Sequence, residues 1–271
     1  MSSLRLAELS WPEVRALVAR DPVGVIPVGA FEQHGPHLPL MVDAHLAETV
    51  ALGAARQAAE RGVAVAVTPV VWTGYSPHHR DFPGTVTLDD RVFSALVGQV
   101  AQSLWRAGFR RILILNGHGG NAHLLRNLAQ TLRYDHGLRV HVASYWDFAL
   151  SALAAWRRSA PGGINHACEM ETALMAATRP DLVRMDLAAD HYPERPRWFG
   201  ADLLGGGPVT AAVPFAELSP SGVIGAPTLA TPERGAALLA AITGRVAEFL
   251  ADLAGWPGPA AGAAQETETQ T

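Results

Sequence analysis

Four short apolar runs, at residues 23–28, 63–71, 111–115 and 140–144, divide the first half of this chain. Each is nearly continuous rather than alternating, as expected of a strand buried on both faces; a strand with one wet face alternates apolar and polar residues. Between them stand alanine- and leucine-rich stretches, 43–61, 88–107 and 121–134, closed by Gly62, Gly108 and Gly137. Glycine is the residue type that ends helices in the left-handed conformation. This alternation restricts the chain to an α/β fold, because parallel strands need crossover connections and the crossover helices cover the sheet. Further helices are expected over 168–178 and 232–253, and the N-terminus reads as a short amphipathic start. The section 190–228, rich in glycine and proline, is expected to be mostly loop with short strands. No linker forces a division, so residues 1–256 are expected to form a single domain. The tail 257–271 lacks an apolar anchor and is expected to be disordered.

Composition removes several kinds of chemistry. The chain has no lysine, so all 21 basic residues are arginine. Schiff-base catalysis, lysine-anchored pyridoxal phosphate and the lysine of a P-loop are therefore excluded. No G-x-S-x-G nucleophile elbow is present. A single cysteine, Cys168, rules out an internal disulfide framework and a thiolate zinc cluster. The formal charge is -4, and no basic stripe extends beyond Arg110-Arg111 and Arg157-Arg158, which argues against a nucleic-acid partner. No apolar run is long enough to cross a membrane and the N-terminus lacks the order of a secretory signal, so the cytoplasm is expected. Eleven histidines leave metal or acid–base chemistry as the direction to follow.

Four segments concentrate the groups that could carry it. "GAFEQHGPHLPLMVDAH" follows the first run and holds Glu32, His34, His37, Asp43 and His45. In an extended chain Glu32 and His34 point to one side, and Asp43 would cap the next helix while facing back toward them. Carboxylate and imidazole together suit zinc, manganese, iron or cobalt. His37 and His45 read equally well as surface residues, Asp43 as only a cap, and Glu32 as half of an ion pair. "LNGHGGN" places His118 at the carboxyl end of a strand, where ligand sites of parallel sheets gather, with Asn121 as a helix N-cap; the spacing does not fit a G-x-G-x-x-G phosphate loop. In "GGINHACEMETALM", a helix starting near Asn165 would put His166 and Glu169 on one face and rotate Glu171 away; a later start would let Glu171 turn inward. Both acids also fit a helix first turn, where the dipole favours them. Finally, Tyr75, Ser76, His78 and His79 in "WTGYSPHHRDFPGT" could line a pocket, or form an exposed loop.

These residues resemble the creatininase family of metal-dependent amidohydrolases. "PVGAFEQHGPHLPLMVD" looks like its first metal motif, "SPHHRDFPGT" its central loop, "LNGHGGN" its second metal motif and "HACEMET" its H-A-G-E-x-E-T segment, in the family's order. The resemblance implies a three-layer α/β/α fold with a mainly parallel central sheet and two divalent ions per subunit. It also implies cleavage of non-peptide amides and assembly into homo-oligomers, often hexamers. It places Glu32, His34, Asp43 and His118 on metal positions, with Asp43 bridging, and His166 on a position for substrate binding or proton transfer. Creatininase proper carries a metal-binding glutamate where this chain has Gly120, so another acid must complete one shell. Glu169 is expected to be that ligand.

The function expected on this basis is hydrolysis of a small-molecule amide, cyclic or formyl, by a hydroxide held between two ions, zinc before manganese or iron. His166 would protonate the leaving nitrogen and Glu171 would orient it or relay the proton. Within the family's range lie peptide trimming of the mycofactocin type and opening of a cyclic sugar derivative. A non-catalytic metal-binding scaffold is the alternative from another class.

Overall fold

The computed structural model describes residues 3–257; the expectation for the tail falls, from residue 258 on, outside them. A four-stranded parallel sheet forms the centre, from β1 (Val23–Val28), β2 (Val65–Val67), β3 (Arg111–Asn116) and β4 (Val140–Ser144), in the order β2-β1-β3-β4. Although every residue of β1 is buried, side-chain direction still alternates. Val23, Val25, Leu113 and Leu115 enter one core with α2 (Val42–Glu60), α6 (Glu169–Thr178) and α8 (Pro232–Gly255). Ile26, Val28, Ile112 and Ile114 enter a second core with α1 (Trp11–Val18), α3 (Asp90–Ala107) and α4 (Ala122–Tyr134). Helices thus cover both faces, giving the three-layer α/β/α arrangement.

The helix ends follow local chemistry. Ser10 and Glu13 form a capping box on α1, and Asp89 accepts a hydrogen bond from the Val92 N–H (2.8 Å) at the start of α3. Gly62, Gly108 and Gly137 adopt φ of 87°, 110° and 69°. The second apolar run supplies only a three-residue strand, because Pro69 has no N–H to give the ladder; pairing returns at Val71, which bridges to Val28. Three elements were not expected, the helices α5 (Leu150–Trp156) and α7 (Phe215–Leu218) and the strand β5 (Ile164–His166); β5 pairs antiparallel with β6 (Ile224–Gly225), a short strand of the kind expected in 190–228.

The chain leaves β1 toward β2 on one side, and later places β3 on the other side of β1. The order therefore reverses between β1 and β3, and the carboxyl ends of two adjacent strands diverge into a crevice. In open α/β sheets this is where ligands bind. No helix among the described residues is long and apolar enough to cross a membrane.

Candidate metal centre

Gly29, just past β1, lies so close to α2 that a Cβ there would stand 2.4 Å from the Ala44 Cα. That approach brings the first turn of α2 to the strand end. Asp43 is the second residue of α2 rather than its cap, and its side chain is free to face the crevice. Past β3, Asn116 brackets His118, accepting from its N–H (3.1 Å) and donating to its carbonyl (2.6 Å). Asn121 makes no side-chain cap on α4. It accepts from the Tyr75 N–H (2.9 Å) and donates to the Gly29 carbonyl (2.9 Å), stapling the loops after β1 and β3 to the loop bearing Tyr75. From the other side, Ala167 in the left-handed region (φ 49°) turns the chain from β5 into α6, so His166 and Glu171 arrive together.

Six side chains converge there: Glu32, His34, Asp43, His118, His166 and Glu171, none more than 7% exposed. His118 Nδ1 stands 3.0 Å from Asp43 Oδ2 and 3.3 Å from Glu32 Oε1. His34 Nε2 stands 3.2 Å from Asp43 Oδ1 and 3.8 Å from Glu171 Oε1. His166 Nδ1 is 3.7 Å from Glu32 Oε1.

The opposite edge of each ring decides what those distances mean. In neutral rings, His118 Nε2–H donates to the Tyr75 carbonyl (3.1 Å), His34 Nδ1–H to the Glu32 carbonyl (3.1 Å), and His166 Nε2–H to the Gln33 carbonyl (2.7 Å). Each histidine then points a bare nitrogen at carboxylate oxygens. Two electron-rich atoms do not attract at this separation unless a cation or a proton lies between them. Tying one ring nitrogen to a backbone carbonyl is also how proteins orient metal-ligating histidines. Both oxygens of Glu32 and Oδ2 of Asp43 are buried without a hydrogen-bond partner, and an isolated buried carboxylate is costly. The donor set fits divalent cations in two nests that share Asp43: Glu32, Asp43 and His118 in one, His34, Asp43 and Glu171 in the other.

The electrostatics agree. Burial opposes charge on His34, but Asp43, with Glu171 and Glu32 beyond it, lifts its pKa to about 9. His118 is raised likewise against burial by Glu32 and Asp43. Burial raises Glu171 to about 7, with Asp43 and Glu32 adding to the shift and His34 opposing it. Without metal, protons occupy the positions that cations would take.

Other expected residues settle as follows. Glu169 is corrected: the structure places it outside the chamber. It is fully buried behind α6, pairs with Arg234 (2.8 Å) and accepts from the backbone N–H groups of Arg158 and Ser159. The spacing argument failed because His166 ends a strand and the helix begins only at Glu169. The late start turns Glu171 inward, so its place is among the candidate ligands rather than only behind His166. His79 is fully buried, with Nε2 3.2 Å from Glu32 Oε1, and belongs to the chamber wall rather than a surface loop. His78 stacks on His118, Ser76 Oγ lies 3.3 Å from His118 Nε2, and Tyr75 lines a cavity above. His37 is fully buried and His45 half-buried; they bond Thr172 and Thr178 (2.9 Å each) and pin α6 to the first motif.

Two participants were missed. Gln33 donates to the Gly222 carbonyl (3.1 Å) and lies 2.9 Å from His79 Nδ1, fixing that ring; its position between Glu32 and His34 was the available signal. Phe215 packs against His79, His166 and His78 with centroids 4.1, 5.0 and 5.3 Å apart. It comes from the loop-rich section, whose sequence carries no periodicity to flag it.

An α/β/α protein with a histidine–carboxylate chamber, suited to divalent cations, at the switch point of its sheet is the class this fold and site define. The family model Creatininase, described as creatinine amidohydrolase, matches residues 7–250. The creatinine amidohydrolase of Pseudomonas putida is 36% identical over 208 residues, covering 70% of this chain and 78% of that protein. The mycofactocin precursor peptide peptidase of Mycolicibacterium smegmatis is 32% identical over 234 residues, 83% of each. The solved manganese form of creatininase superposes with a TM-score of 0.77 at 30% identity, over 93% of this chain and 98% of that one. The chain belongs to the creatininase family, and is an amidohydrolase of that family.

Proposed function

We propose that this enzyme cleaves the C–N bond of a non-peptide amide, cyclic or formyl, in the chamber between Glu32, His34, Asp43, His118 and Glu171. What carries this reading is the set of bare histidine nitrogens aimed at unpartnered buried carboxylate oxygens. Two divalent ions, zinc before manganese or iron, would polarise the amide carbonyl there and acidify a water molecule. Asp43, with one oxygen toward His34 and the other toward His118, would hold both. Gln33 keeps the His166 Nε2–H engaged, so Nδ1 is the atom that exchanges protons. Burial, with His34 and His79 nearby, holds His166 well below its usual pKa, leaving Nδ1 free to accept. As the water oxygen bonds to the carbonyl carbon, Nδ1 takes its proton and delivers it to the departing nitrogen, a contribution of about 10²- to 10⁴-fold. His78 and Tyr75, at the chamber mouth, would contact the substrate beside the scissile bond.

Metal content and turnover on a panel of cyclic, formyl and acyl amides test this together. The expected result is about two ions per chain and hydrolysis that ceases with a chelator and returns with zinc or manganese. Full turnover in metal-free protein would refute the scheme, and bound metal without turnover on any amide would support a scaffold. The same reading carries a cytoplasmic homo-oligomer, up to a hexamer, which light scattering would check. One observation favours a second reading, trimming of a short peptide: a cavity of about 640 Å³ opens above the chamber.

A further inference from the structure

The chamber is small, and it does not end where its ligands end. Its own cavity, lined by Asp43, His118, His166 and Glu171 among others, measures about 170 Å³. The cavity above it measures about 640 Å³. The two share His78, Gly120, Asn165 and Phe215, which form a neck between them. Gly120 is closely framed by the other parts of this neck. A Cβ there would stand 2.4 Å from His118 Nε2, 2.5 Å from the Tyr75 carbonyl and 2.9 Å from His78 Cε1. Position 120 therefore tolerates no side chain, and glycine keeps the neck between the two cavities clear of one. A substrate filling only the inner cavity would leave most of this space idle, whereas the outer one has the size of a pocket for a whole organic ligand.

The outer walls are apolar over much of their extent, with Pro77, Pro196, Phe199, Val213, Pro214 and Leu218. Two guanidinium groups and one carboxylate, Arg80, Arg195 and Glu194, also line it. Arg80 donates Nε–H to the Pro77 carbonyl (3.0 Å) and Arg195 donates Nη1–H to the Gly200 carbonyl (3.3 Å). Among the described residues, neither has a carboxylate within ion-pair distance. Asp202, the acid whose field reaches Arg195, is already paired with Arg157 (2.9 Å). Arg195 is half-buried, and burial lowers its pKa. A partly desolvated guanidinium without an anion is a site for one, and its parallel N–H donors match a carboxylate in bidentate fashion.

We propose that the substrate is an amide whose non-reacting part is apolar and ends in a carboxylate, which Arg195 receives in the outer cavity while the amide passes the Gly120 neck. This rests on the hydrolase reading above, but it assigns a residue and a chemical group that the chamber does not require. Arg195 is a specificity-determining residue and takes no part in bond cleavage.

The test uses the zinc-loaded full chain and a panel of N-formyl and N-acyl derivatives of apolar amino acids and dipeptides. Each is prepared as free acid, carboxamide and phosphate ester of the corresponding alcohol. Free acids are expected to exceed carboxamides in kcat/KM by about tenfold or more, the scale of a charged hydrogen bond. In Arg195→Gln that preference should vanish through KM, and Arg195→Lys should recover part of it. Equal kcat/KM for acid and carboxamide, a preference that survives Arg195→Gln, or a preference for the phosphate overturns the proposal. If no panel member is hydrolysed, the hydrolase reading is what fails on these compounds. Calorimetric binding of the same acids and carboxamides then decides the present proposal: acid-selective binding lost in Arg195→Gln supports it. Binding that ignores Arg195, such as a carboxylate resting only on the ions, or no binding at all, refutes it.

Discussion

Two acidic pockets flank the head of α6 and could hardly differ more. Behind the helix, Glu169 is saturated: Arg234 and two backbone N–H groups satisfy its oxygens. In front, Glu171 caps α6 with one oxygen, accepting from the Cys168 N–H (3.3 Å), and turns the other toward His34 in a chamber where oxygens of Glu32 and Asp43 lack partners and bare imidazole nitrogens face them. The residues are two positions apart, both glutamate and both buried. Burial of an acid is therefore no guide to its role; the partner is. A carboxylate with both oxygens supplied by fixed donors is part of the scaffold, whereas one that keeps an oxygen set against other acceptors is reserved for a cation.

The largest effect that would break this contrast is at Asp43, which both nests share. Asp43→Ala is expected to lower kcat/KM by about 10³-fold or more and reduce bound metal, while circular dichroism stays native. A variant with undiminished turnover would show that the chamber is not a metal centre.

The two glutamates should then part company. Glu171→Gln keeps the shape but weakens one nest, so it should lose metal and about 10²-fold or more in turnover with little change in melting of the metal-free protein. Glu169→Gln leaves Arg234 without its anion and should cost about 3–5 kcal/mol of stability. Its folded fraction should still bind metal and turn over normally. Metal analysis and denaturant unfolding on the pair would expose the opposite pattern, which would restore Glu169 as a ligand.

Why one side was legible in the sequence and the other was not has a physical basis. Glu32, His34, Asp43 and His118 sit next to long apolar runs and helix starts, so the β1 and β3 ends could be located and the crevice between them inferred. Strand and helix boundaries there fell within a few residues of those expected. The assignment of Glu169 depended on one boundary, the first residue of α6, where a three-residue strand stands in place of a helical turn. A shift of a few residues rotates the helix face and exchanges the two acids, and local sequence does not settle such an edge. Phe215 reaches the chamber, and Arg195 the cavity above it, from section 190–228 by tertiary packing, for which no periodic signal exists.

The chamber's proton content offers a smaller, graded test. In the metal-free protein, burial raises Glu171 to about 7 and the carboxylates, against burial, raise His34 to about 9. Both shifts are upward from the ordinary value, so each group's proton stabilises the folded metal-free chain at low pH, and that contribution is lost as pH climbs through about 7 and then about 9. Metal must displace the same protons, so apparent affinity should rise over this window as fewer remain to be displaced. Competition with a chromophoric chelator should show tightening with pH, and the thermal shift on adding zinc should grow. Glu169→Gln should leave this pH dependence intact, whereas Glu171→Gln should remove its lower step. Affinity that stays flat across the window would mean that cations do not replace these protons.

The smallest effect concerns a histidine that lies beside the chamber without belonging to it. His37 is three residues from His34 and fully buried, yet burial, with His34 nearby, pulls its pKa down to about 4, so it is neutral in ordinary conditions. Its Nδ1 has no partner, and its Nε2 meets Thr172 Oγ1 on α6 at 2.9 Å. By the criterion that separates Glu169 from Glu171, a ring engaged by a hydroxyl on the neighbouring helix is scaffold. Thr172→Val keeps the shape and removes that partner, which should cost about 1–3 kcal/mol. Metal stoichiometry and kcat/KM should be those of the unaltered protein once the folded fraction is counted. If instead Thr172→Val changed metal affinity while leaving stability alone, His37 would have to be moved into the chamber, and partner chemistry would lose its power to tell the two pockets apart.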